Sequence, residues 1–194
     1  MAPSSRIACS LLAKIRTELL HSSSRPTEVV TLIGMPGGGK STVGRLLAER
    51  LGVEFADTDL AIERRMGMSV GQIFDTRGEA FFRDLESEVL DSLVRMNPSV
   101  VATGGGSVLR PENRDLLREH TVPVYLQTSL PELWRRVRGN SRRPLLRGPS
   151  PYERLEQIYA ERHPIYSELA SIVVITGKPT VAGVVDTIVS ALQR

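Results

Sequence analysis

Gly34-Met35-Pro36-Gly37-Gly38-Gly39-Lys40-Ser41-Thr42 is the stretch on which the reading of this chain turns. It follows the apolar run Val29-Val30-Thr31-Leu32-Ile33 and precedes the helical pattern Val43-Gly44-Arg45-Leu46-Leu47-Ala48-Glu49-Arg50-Leu51. The order is strand, glycine loop, helix, with the spacing G-x-x-x-x-G-K-S. Glycines at this density let the backbone wrap a phosphate chain with several N–H groups pointing inward, where side chains would collide. Lys40 is spaced to reach β- and γ-phosphates, and the Ser41 hydroxyl to ligate Mg²⁺. The helix aims its N-terminus, with about half a positive charge, at the same phosphates. A chance lysine in a glycine-rich turn would not come with the upstream strand, the Lys-Ser pair and the downstream helix together. Gly37, Gly38, Gly39, Lys40, Ser41 and Thr42 are therefore expected to hold a nucleoside triphosphate.

Working outward, 194 residues suffice for one domain with a substantial core. The composition, 41% hydrophobic and 24% charged, is that of a globular protein. No apolar run approaches the roughly 18 residues of a membrane span. The single cysteine, Cys9, cannot form an internal disulfide, so a reducing, cytoplasmic location is expected. The net charge of +3 belongs to residues 1–27, where Arg6, Lys14, Arg16 and Arg25 face one acid, Glu18. The rest is balanced, which speaks against a nucleic-acid backbone as partner.

Residues 1–27 read as an extension, set off by the linker-like Ser22-Ser23-Ser24-Arg25-Pro26. Leu11, Leu12, Ile15 and Leu19 recur there at helical spacing. A loose tail, a helix docked on the domain and an acid-poor targeting peptide all fit that composition.

From Glu28 onward, apolar runs expected as strands fall at 29–33, 53–56, 99–103, 122–126 and 172–175. Helical patterns follow the glycine loop and cover about 59–67, 78–96, 111–119, 130–138, 151–170 and 180–192. Pro111 and Pro131 suit first-turn positions, with Ser129 placed to cap the latter helix. Such alternation predicts an α/β fold, a parallel sheet covered by helices on both faces. Two stretches break the pattern: Gly104-Gly105-Gly106 at the end of the third strand, and the basic loop 139–150 containing Arg142-Arg143-Pro144. Both fall outside the carboxyl ends of strands, where α/β sheets build their sites. The second has the make-up of a mobile lid bringing an arginine over a phosphoryl group.

Other residues carry chemistry by type and place. Asp57-Thr58-Asp59 puts two acids at a strand tip. One can orient Mg²⁺ through water and the other accept a hydroxyl hydrogen bond or proton, though a polar strand end or a helix cap would also explain them, since Asp59 immediately precedes a helical pattern. Arg83 lies in the first turns of the 78–96 helix, the unfavourable end for a cation, which calls for an anionic partner. Phe82, Leu85, Val89 and Leu93 form that helix's apolar stripe. Three consecutive glycines weaken a strand and permit close approach of backbone to a ligand. Arg162 precedes a proline within a helical stretch, and His21, His120 and His163 show no metal-ligand spacing. Asp75-Thr76-Arg77-Gly78 matches D-x-x-G without the N-K-x-D of a GTPase.

Over residues 29–192 the chain resembles the shikimate kinase family. The ordered set is G-x-x-G-x-G-K-S-T at 34–42, D-T-D at 57–59, G-E-x-x-F-R at 78–83, G-G-G at 104–106, R-P-L-L at 143–146 and R-x-P-x-Y at 162–166. The resemblance implies a P-loop NTPase fold of the nucleoside monophosphate kinase style, with strand order 2-3-1-4-5. It implies transfer of the γ-phosphate of ATP to the 3-hydroxyl of shikimate, on the route to chorismate and aromatic amino acids. By position, Asp59 would hold the ring hydroxyls, and Arg83, Arg162 and the glycines 104–106 would hold shikimate. Ser41 would ligate one Mg²⁺ with Asp57 touching its water shell, Lys40 and Arg143 would stabilise the transferring phosphoryl group, and Arg136 and Pro179 would border the adenine. ATP and shikimate are then the partners of a monomer, without nucleic acid or membrane. The 27-residue extension is longer than the family's usual start, and Pro179 stands where a polar side chain is expected. The rivals are a gluconate kinase on the same scaffold, which would not need two arginines converging on a cyclohexene carboxylate, and a silent nucleotide-gated module, which would have lost part of Lys40, Ser41, Asp57, Asp59 and Arg143.

Overall fold

Val29–Ile33 (β1) is buried at every position, as the middle strand of a parallel sheet covered on both faces must be. The computed structural model describes residues 28–96, 99–138 and 150–194. The extension 1–27 and most of the expected lid, including Arg143, lie outside the described residues. The other strands are Glu54–Asp57 (β2), Ser99–Ala102 (β3), Thr121–Thr128 (β4) and Ile172–Thr176 (β5). All pair in parallel, in the order β2-β3-β1-β4-β5, the order implied by the resemblance.

The helices are Lys40–Leu51 (α1), Thr58–Met66 (α2), Val70–Val94 (α3), Pro111–His120 (α4), Leu130–Val137 (α5), Pro151–Leu169 (α6) and Val181–Leu192 (α7). Strand alternation divides the core. Val30 and Leu32 face α1 and α7 with Leu47, Val184 and Ile188, whereas Ile33 and Tyr125 face α3 to α6 with Leu90, Leu117, Leu133 and Ile158. A smaller cluster of Ile62, Ile73, Phe82, Leu85 and Val89 joins α2 to α3. Leu93 only packs against its rim.

Two expectations are corrected. The helix expected from Gly78 begins at Val70, where Ser69 and Gln72 form a reciprocal capping box. Gly78 is a kink within it, at φ 82° and ψ 170°, a backbone conformation open essentially to glycine alone. Ser129 stands at the N-cap of α5 but makes no side-chain capping bond. Among the described residues no helix is long and apolar enough to cross a membrane.

Candidate active site

The loop between β1 and α1 needs glycine at 37 and 39, whose φ values are 84° and 92°. Lys40 Nζ donates to the carbonyls of Gly34 at 2.7 Å and Met35 at 3.0 Å, lying across the loop. Ser41 Oγ donates to Asp57 Oδ2 at 2.6 Å. Asp57 Oδ1 accepts the N–H groups of Asp59 and Leu60 at 3.0 and 3.2 Å, so Asp57 is the N-cap of α2. This corrects the expectation that Asp59 precedes the helix: Asp59 occupies its first turn and faces the cleft.

The glycines at 104–106 are explained by what surrounds them. A Cβ at Gly104 would collide with Glu86 Oε1, and one at Gly106 with the Arg83 guanidinium. At Gly105 it would lie 2.7 Å from Pro36 of the phosphate loop. This turn is thus wedged between α3 and the loop, with its Gly104 N–H held by the buried Thr58 hydroxyl at 2.8 Å.

Arg83 is 8% exposed and meets two carboxylates, Glu86 at 2.9 Å and Glu79 at 3.0 Å. The anionic partners expected for it are therefore supplied by its own helix. Glu86, 1% exposed, also accepts the Ser107 hydroxyl at 2.6 Å, so both its oxygens are satisfied, as a buried carboxylate requires. The sequence reading missed Glu86, Ser107 and Thr58. Glu86 left a signal, since it falls on the helix face carrying Phe82, Leu85 and Val89, where a charge needs a partner.

On the far wall, Arg162 of α6 donates through Nη1 to the Gly105 carbonyl at 3.0 Å. Tyr166, one turn on, donates to the same oxygen at 2.5 Å. Arg162 is 4% exposed and its Nε has no hydrogen-bond partner. At the other end, Arg136 Nη1 is 3.5 Å from the Gly37 carbonyl, and its Nε donates to Glu132 at 2.8 Å. Hydrogen bonds from Arg135 and then Arg136 lower the Glu132 carboxyl to about 2. Pro179 borders the same end, just before the Thr180 cap of α7.

One cleft of about 1250 Å³ connects these parts. Every expected site residue among the described ones lines it except Arg162, which lies behind the Gly105 peptide. Asp59 is open to this cleft, yet its carboxyl is crowded by protein on the remaining sides. Desolvation first, and then the charges of Glu86 and Asp57, raise it to about 6, against the lowering pull of Lys40. A carboxylate so placed can take a proton near neutral pH.

Phosphate loop, strand order and one cleft running from that loop to the glycine turn and Arg83 define a P-loop kinase built like the nucleoside monophosphate kinases. The family model described as shikimate kinase matches residues 36–193. A shikimate kinase of Ralstonia nicotianae is 46% identical over 164 residues, covering 84% of this chain and 86% of its own. One of Paracidovorax citrulli is 51% identical over 151 residues, covering 77% and 82%. The structure of shikimate kinase from Acinetobacter baumannii in complex with shikimate superposes with a TM-score of 0.84 at 35% identity, over 87% of this chain and 94% of that one. The chain belongs to the shikimate kinase family. It is a transferase whose reaction is the ATP-dependent phosphorylation of shikimate in aromatic biosynthesis.

Proposed function

We propose that the cleft moves the γ-phosphate of ATP to the 3-hydroxyl of shikimate, releasing ADP and shikimate 3-phosphate, with the following division of labour. The loop N–H groups of Gly37, Gly38 and Gly39, with Lys40 and Thr42, hold the phosphates, while Arg136 and Pro179 border the base. Ser41 and Asp57 are hard oxygen donors already 2.6 Å apart, a set that suits Mg²⁺. When bound, that one ion, held by Ser41 with Asp57 at its water shell, supplies charge neutralisation on the phosphate oxygens. No group of three or more His, Cys, Asp or Glu among the described residues could hold a metal alone, and phosphate oxygens and water would complete the coordination of an ion held by Ser41.

Asp59 accepts hydrogen bonds from the ring hydroxyls and receives the proton of the attacking one. Arg83 and Arg162 grip the carboxylate, a partner that guanidinium geometry matches in two bonds. The glycines at 104–106 let the acceptor approach the backbone. Phosphoryl transfer asks the protein mainly for positioning and charge neutralisation, and the chain does this as a monomer. The observation that carries the reading is the wedge of Gly105 against Pro36, which sets the turn beside Arg83 directly on the phosphate loop.

An ADP-release assay across shikimate, quinate, gluconate and no acceptor tests it. Turnover is expected with shikimate and to be at least about 100-fold lower with gluconate, which has no rigid ring to present to the buried polar groups. Equal turnover without acceptor would identify an ATPase instead.

A further inference from the structure

Arg162 stands on a helical turn that is one hydrogen bond short. Pro164 lies inside α6 and has no N–H to offer the Ala160 carbonyl, so the ladder is weakened at this point. Side chains on two adjoining faces of the helix tie the turn down instead. On one face, Arg162 and Tyr166 both donate to the Gly105 carbonyl. On the face about 100° round the helix, His163 Nδ1 lies 2.9 Å from the Tyr125 hydroxyl. The His163 ring also stacks on Tyr159, one turn back, with centroids 5.2 Å apart and planes inclined by 14°. Tyr125 and Tyr166 stack at 5.1 Å, which closes the circuit between the two faces.

Tyr125 is anchored on its other side as well. It is fully buried on β4, and its ring lies so near Gly34 that a Cβ there would be 3.4 Å from two ring carbons. Burial, before any other cause, pushes the phenol above its ordinary value, so it stays an O–H group. Either tautomer of His163 can complete the bond. Neither residue lines the cleft, so neither touches a substrate.

We infer that His163 and Tyr125 are positioning residues for Arg162. Their hydrogen bond fixes the rotation of the proline-weakened turn against β4, so that the guanidinium stays on the Gly105 carbonyl, at the wall of the site assigned above to the acceptor's carboxylate. The inference rests on the assignment of Arg162 to that carboxylate made above. No histidine at 163 is needed for the R-x-P-x-Y pattern itself, so the device belongs to this chain's own residues.

Steady-state kinetics and melting curves on the full chain test it, with His163→Ala, His163→Asn, Tyr125→Phe, the Tyr125→Phe/His163→Ala pair and Arg162→Ala. His163→Ala and Tyr125→Phe are each expected to raise KM for shikimate about three- to tenfold, the worth of one buried hydrogen bond. The KM for ATP and kcat should stay within about twofold, and the pair should be no worse than the weaker single variant, because both remove one bond. Asparagine places an amide where Nδ1 stands, so His163→Asn should restore KM to within about twofold of the parent. An unchanged shikimate KM in Tyr125→Phe, or both KM values moving together, would overturn the inference. So would an Asn variant that melts like the parent but binds like Ala. Tyr125→Phe removes a single oxygen and carries the test if His163→Ala fails to fold. Arg162→Ala separates the two levels: no change there removes Arg162 from the acceptor site, whereas a raised KM there with a silent His163→Ala removes only the strut.

Discussion

Asp59 combines an open position with a carboxylate-rich wall, and the consequence has a definite sign. Its value of about 6 lies above the ordinary 3.8. Between these limits the folded chain holds a proton that the unfolded chain has released. Its contribution to stability therefore falls as pH rises through that window, and the penalty is complete above about pH 6. Asp59→Asn removes the penalty, so the variant should melt above the parent near pH 8, with the difference shrinking below pH 6 and gone by about pH 4. The same substitution should lower kcat by about 100-fold or more, as loss of a proton acceptor does. In the parent, kcat/KM should fall as pH drops through about 6, because the carboxylate must be ionised to accept the proton. Melting curves and pH–rate profiles check each statement, and an Asn variant no more stable than the parent at pH 8 would show that neither burial nor the neighbouring carboxylates disfavour the Asp59 charge.

At the scale of elements, α3 is the part whose geometry the site depends on. Its two halves meet at Gly78, where φ 82° and ψ 170° break the helix. The second half then carries Arg83 and Glu86 against the glycine turn and Phe82 into the cluster shared with α2. A Cβ at Gly78 would meet nothing within 4 Å, so any cost of Gly78→Ala is conformational and not steric. The expected loss is about 1–3 kcal/mol of stability, read by denaturant titration, together with a higher KM for shikimate as Arg83 shifts. A loss of stability with an unaltered KM would show that the second half of α3 holds its place without the kink.

For the whole molecule, the two sides of the sheet divide the labour. The α1 and α7 face closes one core beneath the phosphate loop, and the α3 to α6 face carries Arg83 and Arg162 over the other. Among the described residues 28–96, 99–138 and 150–194, both cores are built from side chains of this one domain. Deleting residues 1–27 should therefore leave kcat within about twofold and the melting cooperative, as for an autonomous domain. A large loss of either would make the extension part of the kinase fold.

Much of this was legible before any coordinates. The glycine loop announced itself because its pattern is local: strand, turn and helix are contiguous, and the role proposed for each residue rests on spacing. The strands at 29–33 and 172–175 were visible as β-branched runs, and α4 to α7 from periodicity, with first-turn prolines marking α4 and α5. The 70–77 half of α3 was missed although Ser69 and Gln72 carry a capping-box pattern, because Gly71 and Gly78 dilute the apolar period. Strand order was implied only by the resemblance, since periodicity says which face of a strand is buried and not which strand lies beside it.

The amino-acid sequence by itself determined the glycine loop, the alternating α/β architecture and the residue types proposed for the acceptor site. Tertiary structure alone decided how those residues are held. Glu86 bridges Arg83 to Ser107, Gly105 is clamped between Pro36 and Arg162, and Tyr125 braces the turn that carries Arg162. Each of these links, the helical Arg83–Glu86 pair apart, joins residues 21 to 69 positions apart in the chain. Local pattern encodes which side chain must be satisfied in the interior; only the packing of separate elements fixes by what.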